Sequence, residues 1–177
     1  MPAIKIFQLA ALAFSSLVLT SWVNAACVNI TESIPNSRFL NNADGTISDT
    51  ITGLMWKQCS EGQAEDTTCS GNTSSHNLQA ALQLASSLNT SGGFAGHNDW
   101  RLPNVKELRS IVEPACHTPA INHERFPNTA SIEYWTSTVS VDNTSNAWRV
   151  EFGNGESNAA RNNRTSSYAV RLVRVEQ

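Results

Sequence analysis

Four cysteines, at positions 27, 59, 69 and 116, constrain this chain more than any other feature, because an even set of thiols in an oxidising compartment pairs and ties distant segments together. The residues ahead of them point to such a compartment. Lys5 is followed by an apolar run from Ile6 to Leu19 and then by Val23-Asn24-Ala25, with the small side chains that a signal peptidase requires, so residues 1–25 read as an export signal. A spanning helix needs roughly 20 predominantly apolar residues. This run is shorter and is broken by Gln8, Ser15 and Ser16, and Asn24 stands where a lipoprotein signal carries a leucine-like residue before Cys27. The expected product is exported to the periplasm, the outer surface or the medium, with no membrane span.

Four cysteines allow three pairings. Cys59 with Cys69 closes the shortest loop at the lowest entropic cost, and Cys27 with Cys116 follows by elimination. With 177 residues, 40% apolar and 15% charged, the chain is long enough for one core, and residues 26–177 are expected to form a single domain. Loss of the signal removes Lys5 from 12 basic residues set against 15 acidic ones and moves the formal charge from −3 to −4. That balance argues against a nucleic-acid partner. Residues 145–177 are locally richer in base, with Arg149, Arg161, Arg164, Arg171 and Arg174, so a weakly basic C-terminal face is expected.

Periodicity divides the chain into strands, then helices, then strands. Asp44-Gly45 and Thr52-Gly53 mark turns between short strands, and a polar loop from Lys57 to Ser75 carries the two central cysteines. Leu78, Ala81, Leu82, Ala85 and Leu88 fall on one face of a helix over Asn77–Leu88, with Ser74 or Ser75 as the expected cap. Val105, Leu108, Ile111 and Val112 stripe a second helix between Pro103 and Pro114, where Asn104 and Glu107 have capping-box spacing. "YWTSTVSV" places Trp135, Ser137, Val139 and Val141 on one side of a strand, and "AWRVEF" does the same for Trp148, Val150 and Phe152. Asn154-Gly155 turns the chain, the stretch from Asn154 to Ser167 reads as a surface loop, and "YAVRLVRV" is a closing strand. The result is an α+β domain, two helices flanking an antiparallel sheet, stapled by disulfides.

Chemical motifs are scarce. Asn42, Asp44 and Gly45 resemble part of a calcium loop, but Leu40 and Ile51 stand at its first and twelfth positions, so a turn is expected there. His117 and His123 near Cys116 fit no metal spacing, and no metal or cofactor is expected. No nucleophile elbow or Cys-His signature occurs, Ser137 reads as a strand hydroxyl, and Glu65-Asp66 lies in a loop expected to be too mobile for acid–base work. The chain therefore reads as a non-enzyme. Trp56, Trp100, Trp135 and Trp148 would suit a sugar-binding surface as stacking faces, but each sits in an apolar pattern, and three or all four are expected in the core. Arg101 is expected to be a structural donor.

Five ordered stretches carry a resemblance: "DGTISDTITGLMW" (44–56), "DWRLPNVKELRSIV" (99–112), "YWTST" (134–138), "AWRVEFGNG" (147–155) and "VRLVR" (170–174). Together, over residues 38–174, they resemble the C-terminal domain family of the Legionella collagen-like adhesin, a domain of unknown function in most members. The same order also resembles the C-type-lectin-like fold of formylglycine-generating proteins, which implies a twisted antiparallel sheet with two helices. The active-site cysteine pair of those enzymes is not matched by position. The Glu-Pro-Asn and Trp-Asn-Asp motifs of calcium-dependent lectins stand here as Glu113-Pro114-Ala115 and His97-Asn98-Asp99. The adhesin resemblance implies adhesion through sulfated glycans at the cell surface, and trimer formation. Arg149, Arg161 and Arg164 would then be the sulfate contacts, since guanidinium forks suit that group. The competing readings are a structural or assembly module that binds envelope proteins and an enzyme of the formylglycine-generating type.

Overall fold

The computed structural model describes residues 26–27, 32–144, 146–158 and 165–176. The expected signal segment, Arg161 and Arg164 lie outside them. Strands β1 (Ala26–Cys27), β2 (Phe39–Asn41), β3 (Thr46–Asp49) and β4 (Leu54–Lys57) precede helices α1 (Leu78–Thr90) and α2 (Val105–Arg109). Strands β5 (Cys116–His117), β6 (Glu133–Val139), β7 (Ala147–Glu151), β8 (Ser157–Asn158) and β9 (Val173–Val175) follow. The α+β class stands, with the strands distributed over antiparallel sheets ordered β1-β5, β2-β3-β4-β9 and β6-β7-β8.

The turn chemistry works as the residues require. Asp44 Oδ1 accepts from the Thr46 N–H at 3.0 Å and the Thr46 hydroxyl at 2.6 Å, and Gly45 takes φ +85°, so the β2–β3 connection is a local turn. Residues from the end of the chain join the two larger sheets: Val173 pairs with Trp56 and bridges Arg101, while Ala169 bridges Tyr134. Because successive strand residues point to opposite faces, Tyr134 enters one apolar cluster with Trp56, Val150 and Phe152, and Trp135 enters a second with Trp100, Leu102 and Leu172. The β6–β7 ladder is thus packed on both faces.

Helix α2 has the expected capping box: Asn104 Oδ1 accepts from the Glu107 N–H at 2.9 Å, and Glu107 Oε2 from the Asn104 N–H at 2.7 Å. Helix α1 differs in two respects. Its cap is Asn77, which accepts from the Ala80 N–H at 2.8 Å, while the Ser74 hydroxyl is spent on Glu61 O and His76. Its buried face holds Leu78, Ala81 and Ala85 with Leu84 and Leu88 packed beside them, and Leu82 is left 47% exposed. At about 100° per residue Leu82 lies about 100° from Ala81, outside the covered arc.

Both expected disulfides are present, Cys27–Cys116 and Cys59–Cys69, and all four cysteines are paired. The polar loop is held rather than mobile. Asp66 Oδ1 accepts from the backbone and hydroxyl of Thr68 and from the Ser70 N–H, its other oxygen takes the Ser70 hydroxyl, and Lys57 Nζ reaches Glu61 at 2.8 Å and Glu65 at 2.7 Å. The donors around Asp66 hold its carboxyl well below the usual range.

Candidate functional site

The "DWRLP" corner is structural throughout. Asn89 clamps the backbone of Trp100 from both sides, the buried indole donates to Phe94 O at 3.0 Å, and Asp99 pairs with Arg174 at 2.7 Å. Arg101 forks onto Glu107 at 2.8 and 2.7 Å, the structural donation expected of it. Glu113 is buried and accepts from the Ser33 hydroxyl and the Ile34 and Ala115 N–H groups, so it binds this chain rather than a ligand.

The expected basic face is thinner than its arginine count. Arg171 is fully buried, donating to Lys57 O, Gln58 O, Ser60 Oγ and Thr129 Oγ1 with its guanidinium 5.0 Å from the Phe126 ring, and burial pushes its pKa down. Arg174 is 4% exposed. Arg149 donates to Glu133 and lies 5.4 Å from the Tyr168 ring centroid, beside a small hollow that also takes Glu151, Glu156 and Asn158. A sulfate reaching Arg149 would compete with a carboxylate already bound there.

His117 and His123 are exposed. His123, Cys27 and Cys116 bring one ligand-type atom each to within 4.8 Å of one another, but the two sulfurs are bonded together and offer no thiolate to an ion.

The tryptophans separate the surface. Trp56, Trp100 and Trp135 are at most 1% exposed, whereas Trp148 is half-buried and lines a groove of about 330 Å³. The expected inward stripe of β7 therefore holds at Val150 and Phe152 and fails at Trp148. On the neighbouring strand the β6–β7 register shifts between Trp135 and Val139, so the simple alternation of "YWTSTVSV" ends there, Val139 is 38% exposed and Val141 93% exposed. The Thr136 hydroxyl bonds Trp148 O at 2.8 Å and fixes the backbone beneath the ring.

Around Trp148 the groove is lined by Val141, by Asn143, Asn146 and Asn158, and by Asp142. Ser140 N–H donates to Asn146 O and Asn146 N–H to Asn143 O, so the loop before β7 carries Val141, Asp142, Asn143 and Asn146, while Asn158 comes from β8. Ser157, on the opposite wall, takes a 3.3 Å hydrogen bond from Arg109 of α2. A half-buried indole beside asparagine and aspartate residues can take the C–H face of a ring while those residues hydrogen-bond its hydroxyls.

Two other hollows are less suited to a ligand. In one of about 470 Å³, Asp44, Glu65 and Asp66 are engaged by Thr46, Lys57 and Thr68. The other, about 390 Å³ at the start of α1, centres on Leu78 and Leu82. Among the described residues no helix is long and apolar enough to cross a membrane.

No curated protein matches the chain by sequence. A family match spans most of it, from residue 45 to residue 174, and includes all five stretches but for one residue at their start. On that match, the chain belongs to the Lcl C-terminal domain family.

Proposed function

We propose that the protein is an exported, non-enzymatic binding module that attaches to a glycan through the groove at Trp148. The observation that carries the reading is the contrast among the four described tryptophans: three are buried in the two cores, and the fourth is held half-exposed in a groove with amide and carboxylate side chains. Two disulfides suit an oxidising compartment outside the cytoplasm, and the expected signal at residues 1–25 would deliver the chain there. We also assign the domain to the C-type-lectin-like architecture, on the two helices, the antiparallel sheets and the closing segment that joins them. Formylglycine-generating chemistry needs reactive thiols, and pairing of all four cysteines weighs against it.

A second reading, an assembly module that binds envelope proteins, is favoured by Leu40, Ile51 and Val175, aliphatic side chains 51–76% exposed in the β2–β3–β4–β9 sheet and its turn. A glycan array probed with the wild-type protein and with Trp148→Ala separates the two. Retention of glycans by the wild type and its loss in the variant is expected. Blank arrays together with a stoichiometric envelope protein in a pull-down would favour the assembly reading.

A further inference from the structure

The described charged side chains around the Trp148 groove are mostly acidic. Among its described lining residues the charged one is Asp142. Behind and beside it, Glu133 holds Arg149, and Glu151 and Glu156 flank Arg149 in the adjoining hollow, which shares Asn158 with the groove. Arg109 reaches the rim at Ser157. Among the described residues there, four carboxylates (Glu133, Asp142, Glu151 and Glu156) are set against the guanidiniums of Arg109 and Arg149, and Arg149 is ion-paired.

Resting on the reading that this groove binds a glycan, we infer that it selects uncharged, hydroxyl-rich pyranosides over sulfated polymers. A sulfate in the groove would be brought against the Asp142 carboxylate, a like-charge contact. A neutral sugar ring avoids that conflict: its C–H face lies on the indole, and its hydroxyls donate to Asp142 and exchange hydrogen bonds with the carboxamides of Asn143 and Asn146. A hydroxyl donating to a carboxylate is the stronger kind of neutral-ligand hydrogen bond, so Asp142 contributes to affinity for a sugar and opposes a sulfate. The sign of its effect is the discriminating feature. Trp148 and Asp142 sit on different supports, β7 and the loop before it, so either can be altered while the other remains in place.

The test titrates the disulfide-bonded protein, expressed with its own leader, with neutral hexasaccharides (maltohexaose, cellohexaose, laminarihexaose and N-acetylchitohexaose) and with heparin and chondroitin sulfate oligosaccharides, at low salt and at about 0.5 M salt. At least one neutral hexasaccharide is expected to bind with an affinity that salt does not change. Asp142→Ala and Trp148→Ala should each weaken it about tenfold or more, Trp148→Phe should retain most of it, and Arg161→Ala/Arg164→Ala should leave it unaltered. Circular dichroism and the melting temperature show that each variant is folded, and the exposed Asp142 supplies a variant that does not disturb packing. Binding confined to the sulfated oligosaccharides, falling with salt and strengthened by Asp142→Ala, would overturn the inference while leaving the glycan reading in place. Failure of every neutral and sulfated probe to bind would count against both.

Discussion

The two disulfides close loops of very different length, and that difference sets a measurable difference in what each contributes. Cys59 and Cys69 are 10 residues apart and Cys27 and Cys116 are 89 apart. The chain-entropy relation gives about 2.7 kcal/mol for the short loop and about 4.6 kcal/mol for the long one at 25 °C, a difference of about 1.9 kcal/mol. Deleting a cysteine pair also removes sulfur from the core, since Cys59, Cys69 and Cys116 are buried, and a wild-type comparison would mix the two effects. The mixture is avoided by measuring each variant against itself. In Cys27→Ala/Cys116→Ala the remaining short disulfide is reduced, and in Cys59→Ala/Cys69→Ala the long one, with urea unfolding followed by tryptophan fluorescence before and after reductant. Reduction is expected to cost about 2.7 kcal/mol in the first variant and about 4.6 kcal/mol in the second. Equal losses, or a larger loss for the short loop, would refute the argument that the long staple stabilises by restricting the unfolded chain.

Other perturbations follow from the same contacts. Gly93 takes φ +77° and an added Cβ would lie 2.0 Å from His97 O, whereas Gly71, at φ +86°, has open space around it; Gly93→Ala should cost more than about 2 kcal/mol and Gly71→Ala about 1 kcal/mol by thermal unfolding. Arg171→Met leaves the Lys57 and Gln58 carbonyls buried without their donor and should cost about 3 kcal/mol in the urea midpoint, with the groove's ligand binding unchanged where the protein is folded. Burial raises Asp49 and Glu107, but the guanidiniums of Arg38 and Arg101 and local N–H donors outweigh it and hold both below their ordinary values of 3.8 and 4.5. Their stabilisation is therefore complete above those values and is lost as pH falls through the lower folded ones, so acid unfolding of Asp49→Asn/Glu107→Gln should depend less on pH than that of the wild type.

Local rules read from the residues carried a good part of the fold. Asn104 and Glu107 form the capping box that their spacing demands, Asp44-Gly45 turns the chain, and loop entropy alone identified the cysteine pairs. What spacing does not contain is which other segment covers a given face. The arc of α1 is decided by the second cluster that receives it, which takes Leu84 and leaves Leu82 out. Arg171 and Arg174 read as part of a basic surface because their partners, the carbonyls of Lys57 and Gln58 and the carboxylate of Asp99, lie at least 75 residues away in the chain. Trp148 was legible as one of four candidate stacking residues but not as the half-buried one, since the alternation of its own strand gives it the same side as Val150 and Phe152 and does not say how far the cover over that side extends.

The central claim, that ligand is taken at Trp148 and not at the buried indoles, is tested most directly by indole N–H resonances in a two-dimensional nitrogen–proton spectrum, assigned by single Trp→Phe variants and followed during titration with neutral hexasaccharides and heparin oligosaccharides. A binding glycan is expected to shift the Trp148 indole resonance while those of Trp56, Trp100 and Trp135 stay in place. Saturable binding that leaves the Trp148 resonance unmoved would contradict it.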